Sequence, residues 1–77
     1  MATRVEYPQD LGGGVRLVSI TIPDTGSRVY GVELLSGNKT YNEHFNIDTR
    51  TVSDDVLNLT AIQLHVIFNA IDQLSTH

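Results

Sequence analysis

The first part of the chain alternates apolar and polar residues with the period of two that is typical of β-strands. The pattern predicts four strands, at Thr3–Tyr7, Val15–Ile22, Arg28–Leu35 and Thr40–Ile47. Glycine and proline separate them, and the predicted connections are a loop over Asp10–Gly14, a turn at Pro23–Gly26 and a two-residue hairpin turn at Gly37-Asn38. Because the strands follow one another through short turns, the pattern predicts an antiparallel meander.

The short turns also predict which residues lie opposite each other. In the first hairpin, we expect the pairs Ile20–Tyr30 and Val18–Val32. In the second, we expect Tyr30–Phe45, Val32–Glu43 and Leu34–Tyr41. Both hairpins then place their apolar residues on one common face, which comprises Val18, Ile20, Ile22, Tyr30, Val32, Leu34, Tyr41, Phe45 and Ile47.

The C-terminal segment changes to a helical period. Thr60 and Gln63 have the spacing of a capping box, which marks a helix N-terminus, and Ser53–Asp55 are placed to cap one extra turn ahead of it. The residues that follow form one apolar stripe at i, i+3, i+4 and i+7 spacing, made of Leu64, Ile67, Phe68, Ile71 and Leu74. The stripe needs an apolar partner, so we predict one α+β domain over residues 1–77. Its architecture is ββββα, a four-stranded antiparallel β-meander with the C-terminal helix packed on one face.

Composition narrows the range of functions. The chain has 77 residues and a net charge of −4, from five Lys and Arg against nine Asp and Glu. This balance argues against direct nucleic-acid binding, which relies on clustered basic side chains. There is no cysteine, which excludes disulfides and thiolate sites. His44, His65 and His77 lack the spacing of metal ligands, so we predict neither a metal nor a cofactor.

The sequence pattern does not predict a targeting signal or a membrane span. Residues Met1–Asp10 lack the apolar core of a signal peptide. The apolar stretch of the C-terminal helix is interrupted by His65 and Asn69, which argues against a membrane span. We therefore expect a cytoplasmic protein.

Glu43 is the first residue that breaks the pattern. The register places it on the apolar face opposite Val32, where a carboxylate needs a partner or a raised pKa. Arg16 and Arg28 are the expected partners. A buried acid of this kind is either a poised acid or base or a structural charge, and the structural role, as an ion pair, an edge charge or a bulge, is favoured.

The second feature is the opposite face of the sheet, which no predicted element covers. Its expected rows are Ser19–Gly31–His44, Leu17–Glu33–Asn42 and Thr21–Val29–Asn46. From these rows, the predicted binding surface comprises Ser19, Thr21, Gly31, Glu33, Asn42, His44 and Asn46. Ser19, His44 and Glu33 are also the residue types of a hydrolytic triad. An open sheet lacks the oxyanion donors and the closed pocket that such a triad needs, so a solvated or binding face is favoured.

A third feature is the second apolar flank of the helix, at Ile62 and Val66. Apolar residues on both flanks indicate a second packing partner. The segment Val52–Leu59 and a second copy of the chain fit equally well. The small size of the domain favours self-association, for example as a homodimer.

Chemical motifs of enzymes are missing. The Gly12–Gly14 run lacks the lysine of a phosphate-binding loop and leads into a strand instead of a helix. In its size, acidity, lack of cysteine and strand–helix order, the chain resembles the short α+β proteins by which phages block host machinery, such as anti-CRISPR proteins. That resemblance implies stoichiometric inhibition of a host complex in the host cytoplasm.

The prediction for function is therefore a small non-enzymatic binding module, an inhibitor or regulator that acts by protein–protein contact. Two alternatives stay open. One is an oligomeric protein that binds a small ligand or nucleotide between subunits, because a single chain of this size hardly encloses a pocket. The other is a structural protein of a virion or another assembly.

Overall fold

The computed structural model describes residues 2–75, so His77 lies outside the described residues. One antiparallel sheet in the order β1-β2-β3-β4-β5 is followed by one helix. The elements are β1 (Thr3–Gly12), β2 (Val15–Ile22), β3 (Val29–Ser36), β4 (Lys39–Asn46), β5 (Thr51–Ser53) and α1 (Ala61–Ser75). The predicted α+β class and meander are confirmed. The predicted count of four strands is one too few, because β5 was not foreseen.

The first strand is longer than predicted. It continues through Pro8 to Gly12 and lies beside β2 at the edge of the sheet. Proline is tolerated there because an edge strand need not donate every amide to a neighbour, and the pairing is irregular between Glu6 and Gln9. The expected loop over Asp10–Gly14 shrinks to a turn at Gly13 and Gly14, both of which have positive φ.

The predicted pairs of the first hairpin are wrong. Ile20 lies opposite Val32, two residues away from the expected Tyr30, because the connection after Pro23 reaches as far as Arg28 before β3 begins. A further irregularity between Leu17 and Ser19 bulges β2 at Val18. A bulge reverses the side to which the following residues point. Leu17 is therefore fully buried in the core, while Val18 is only partly buried.

The predicted pairs of the second hairpin are confirmed. Tyr30–Phe45, Val32–Glu43 and Leu34–Tyr41 lie opposite each other as expected. The two-residue connection at Gly37-Asn38 joins Ser36 to Lys39. Gly37 has a φ of 65°, a conformation that glycine adopts without a steric penalty and that short hairpins require.

The fifth strand pairs with the end of β4. Residues 51–53 lie opposite residues 44–46, and residues 47–50 form the turn between them. Asn46 stabilises this turn, because its Oδ1 accepts the backbone N–H groups of Asp48 and Thr49 at 2.9 and 3.2 Å. After β5, the Asp55 carboxylate accepts the amide of Leu59. This segment forms a turn and not the extra helical turn that was predicted.

The helix begins with the predicted capping box. The Thr60 amide donates to Gln63 Oε1 at 2.9 Å, and the Gln63 amide donates to Thr60 Oγ1 at 3.2 Å. Gln63 is also buried, and its Nε2 donates to the Gly12 carbonyl oxygen. Tyr7 O–H donates to Gln73 near the other end of the helix. The helix therefore runs antiparallel to β1 across one face of the sheet.

The core lies between that face and the helix. Phe45 and Phe68 meet edge to face, with ring centroids 5.2 Å apart. From the predicted apolar stripe, Ile67, Phe68 and Ile71 are buried, while Leu64 and Leu74 pack against the core at its margin. The buried apolar residues are Leu11, Val15, Leu17, Ile20, Tyr30, Val32, Leu34, Phe45, Ile47, Leu59, Ile67, Phe68, Ala70 and Ile71. Within residues 2–75, no helix is long and apolar enough to cross a membrane.

Candidate functional site

The outer face of the sheet is the face opposite the helix. Two rows of side chains cross it from β1 towards β5, since residues that lie opposite each other in paired strands share a face. The first row is Arg4, Thr21, Gly31, His44 and Ser53, and the second is Glu6, Ser19, Glu33 and Asn42. Except for Gly31, every member of these two rows is polar or charged, and the row beside the second consists of Asp10, Arg16, Leu35 and Thr40.

These rows correct the predicted ones. The β3–β4 halves, Gly31–His44 and Glu33–Asn42, are as expected, but their partners in β2 have moved. Ser19 lies opposite Glu33 and not Gly31, and Leu17 has left the outer face for the core. The residues of β2 in each row differ from the predicted ones because the connection before β3 is longer than expected and β2 bulges at Val18.

A network of three side chains is built on the outer face. Arg4 Nε donates to Ser19 Oγ at 3.2 Å, Arg4 Nη2 donates to Glu33 Oε1 at 3.0 Å, and Ser19 Oγ donates to the same oxygen at 3.0 Å. Ser19 is only 2% exposed although it lies on this face. Hydrogen bonding by Arg4 and then by Ser19 holds the pKa of Glu33 below its ordinary value.

The sequence prediction missed Arg4. Its position in the site depends on β1 lying beside β2, where Arg4 is opposite Thr21, and the strand pattern alone does not indicate which edge of the sheet the first strand occupies. The alternation of Arg4 and Glu6 with apolar residues was the available signal, because it marks one polar face of that strand.

A depression of about 370 Å³ opens beside this network. Its lining includes Thr21, Gly31, Asn42 and His44 together with Glu33. A Cβ atom added to Gly31 would lie 3.3 Å from Thr21 Cβ, so any larger residue would crowd the floor of the depression. Among the described residues, the side chains of Thr21, Asn42 and His44 have no hydrogen-bond partner. Their polar atoms are available to a binding partner.

Ser19, His44 and Glu33 do not assemble as a triad. Ser19 Oγ is bonded to Glu33 and Arg4, and within the described part of the chain no hydrogen bond joins it to His44. A nucleophile of this type needs a base within hydrogen-bond reach. Asn46, which was expected on the binding surface, is engaged by the turn that follows β4.

Glu43 lies on the core side of the sheet, and the residue is 2% exposed. The expected partners do not reach it. Arg28 pairs with Asp48 at 3.0 Å, and Arg16 is exposed and forms no ion pair with any described residue. Oε2 of Glu43 has no hydrogen-bond partner among residues 2–75.

Burial raises the pKa of the Glu43 carboxyl, since a buried environment disfavours the charged form. The negative charges of Asp55 and Asp54 raise it further, while a hydrogen bond from the Val56 backbone and the charge of His44 act in the opposite direction. Glu43 thus lies beneath the segment that joins β5 to the helix.

The second apolar flank of the helix is only partly covered. Val66 packs against the core of its own chain, as do Val52, Leu57 and Leu59 from the preceding segment. Ile62 remains 75% exposed. On the same side of the sheet as the helix, Arg50 pairs with Asp72 at 3.0 Å and lies over the Phe68 ring. These residues line a second open depression, of about 310 Å³, in which the two charged side chains already pair with each other.

Comparison of the chain with protein-family models, curated proteins and solved structures gives no match. In the described part of the chain, no cluster of three or more histidine or acidic side chains is placed to hold a metal ion.

Proposed function

We propose that the protein is a small non-enzymatic binding module that acts by stoichiometric contact between its outer face and a partner protein. The observation that carries this proposal is the Arg4–Ser19–Glu33 network next to an open depression. The network fixes three polar side chains on a face that no other described element covers. Unused polar groups lie directly beside it.

A surface of this kind favours binding because it is ordered in advance. Association is opposed by the entropy of fixing loops and side chains, and a rigid sheet with bonded side chains reduces that cost. Thr21 lies on β2, and Asn42 and His44 lie on β4, with β3 between the two strands. The positions of these side chains therefore depend on backbone pairing and not on a mobile loop. The groups that would recognise a partner are therefore held in a constant arrangement.

The charge of the chain indicates the partner. The net charge is −4, and Glu6 and Glu33 both lie in the second row of the outer face. Complementary charge accelerates association and suppresses unsuitable partners. A protein with a basic surface fits best. The resemblance to phage anti-defence proteins implies that such contact inhibits or regulates a host complex in the host cytoplasm.

The test uses two matched substitutions. Asn42→Arg places a large cation on the outer face, and Asn69→Arg makes the same change on the exposed side of the helix. Tagged wild-type protein and both variants are used as bait in a host lysate at low and physiological salt. We expect the wild type and Asn69→Arg to retain the same partner in equimolar amount, and Asn42→Arg to lose it.

Circular dichroism of the three baits establishes that each is folded. Equal retention by Asn42→Arg would show that the outer face is not the contact surface. Failure of the folded wild type to retain any equimolar partner would contradict the proposed function itself.

A second candidate is a small-ligand binder, and the observation that favours it is the size of the depression. Its volume of about 370 Å³ falls at the lower end of the range of ligand pockets, which is about 300–1,000 Å³. A ligand that binds the native state raises its melting temperature. A thermal-shift series with nucleotides and other small metabolites tests this alternative, and light scattering shows whether the site needs a second subunit.

A further inference from the structure

We infer that the depression beside Gly31 receives an arginine side chain of the partner protein, with its guanidinium bound to Glu33. This inference rests on the proposed function and adds the chemistry of the contact. It depends on three properties of the outer face: its charge, its unused hydrogen-bond acceptors and the shape of its floor.

Charge comes first. Arg4 is the only arginine or lysine in the two rows of the outer face, and it pairs with both Glu6 and Glu33, at 3.1 and 3.0 Å. In the next row of this face, Arg16 lies opposite Asp10, so that row adds no net charge. Two carboxylates against one guanidinium leave the network with a net negative charge. A phosphate or carboxylate ligand would therefore be repelled, whereas a cation would be attracted.

The second property is the presence of hydrogen-bond acceptors that no described residue uses. Glu33 Oε1 accepts both internal hydrogen bonds of the network, from Arg4 and Ser19. Glu33 Oε2 accepts none from the described residues, and the side chain is 27% exposed. Asn42 also offers an amide oxygen on the neighbouring strand. A donor that enters the depression thus meets a carboxylate oxygen without a partner and, beside it, a neutral acceptor.

Shape distinguishes arginine from lysine. Gly31 has no side chain, so the floor of the depression is a flat stretch of backbone between Thr21 and His44. A planar guanidinium can lie on such a floor and donate several hydrogen bonds in one plane, whereas an ammonium group cannot. Arg4 provides an internal example, because its guanidinium already contacts Ser19, Glu6 and Glu33 on this face.

The experiment titrates the full chain with N-acetyl-arginine amide and follows the backbone amides by NMR at constant ionic strength. The matched probe is N-acetyl-citrulline amide, which keeps the planar shape but lacks the charge. N-acetyl-lysine amide separates shape from charge. We expect saturable shifts at Gly31, Glu33, Asn42 and His44 with the arginine probe, weaker shifts with lysine and none with citrulline.

Two variants localise the effect. Glu33→Gln removes the proposed acceptor charge, and Asp72→Asn removes the acid of the Arg50 ion pair on the helix side. Because Glu33→Gln removes the charge from the proposed charge-assisted contact, which solvent screens in part, the substitution should weaken arginine binding by roughly threefold to tenfold. Asp72→Asn should leave it unchanged.

Equal shifts with arginine and citrulline, or shifts that map to the helix side, would overturn the inference, as would the absence of saturable shifts. These results come from the wild type and do not depend on how any variant folds. Partner retention that is lost in Asn42→Arg together with no arginine binding would refute this inference alone. No equimolar partner at all would refute the proposed function.

Discussion

Glu43 provides the sharpest test of the packing. Replacing it by glutamine keeps the shape and the carbonyl oxygen and removes the charge from a side chain in a residue that is 2% exposed. A buried polar group without a partner is costly, and more so when it is charged. Glutamine also places an unpaired group at the position of Oε2, so the substitution removes only the extra cost of the charge. We therefore expect Glu43→Gln to increase the free energy of unfolding at neutral pH, by about 1.4 kcal/mol for each unit by which burial raises the pKa of Glu43.

The sign of the pH dependence follows from the raised pKa of Glu43. Below the ordinary value of 4.5, the carboxyl is protonated in both the folded and the unfolded state, so the wild type is not penalised. As the pH rises through the folded-state pKa, the folded protein must ionise a buried group, and stability is lost. The advantage of Glu43→Gln should therefore be absent in acid and grow towards neutral pH.

Urea unfolding of both proteins at a series of pH values measures this difference. In thermal unfolding, each kcal/mol corresponds to roughly 4–8 °C for a domain of this size. Glu33→Gln is the matched control on the outer face. Because Arg4 and Ser19 lower the pKa of Glu33, the contribution of its charge is present above 4.5 and lost as the pH falls through the folded-state pKa.

The two substitutions should therefore have opposite effects at neutral pH. A loss of stability in Glu43→Gln at neutral pH, or a difference from the wild type that does not change with pH, would refute the burial argument.

Three further predictions concern the fold. Leu17→Ala should reduce the free energy of unfolding in urea by about 2–5 kcal/mol and Val18→Ala by less, whereas the reverse order would show that β2 is not bulged. Thr60→Ala removes the capping box and should reduce the same quantity by about 1 kcal/mol; no change would show that the hydrogen bonds of the box are weak. Ile62→Ser alters a side chain that is 75% exposed, so it should change the free energy of unfolding by no more than about 0.5 kcal/mol. The melting temperature of the dilute protein measures this change. A larger loss would indicate that Ile62 is buried against a second copy.

Most of the fold was predictable because local signals agree with one another. The short turn at Gly37-Asn38 determines the register of β3 and β4, and the Thr60–Gln63 box marks the helix start. The bulge at Val18 was not predictable. Leu17 and Val18 are both apolar, so the sequence does not indicate which of them points inwards.

The candidate site was predictable in the part contributed by β3 and β4. Glu33, Asn42 and His44 share the outer face as expected. Arg4 was missed although it lies within the predicted first strand, because the sequence did not show that this strand pairs with β2. The strand also continues past Pro8, as an edge position allows. The β5 strand was missed because three residues are too few for a periodic pattern.

The place of Pro8 in β1 has a consequence for how this chain behaves in a crowded solution. A strand of another molecule that paired with the free edge of β1 would obtain no hydrogen bond from the backbone of Pro8, which has no N–H. The strand is also irregular between Glu6 and Gln9. The edge strand β1 is therefore a poor template for fibril growth. Edge-to-edge pairing through β1 is therefore disfavoured, while the outer face stays open to other molecules.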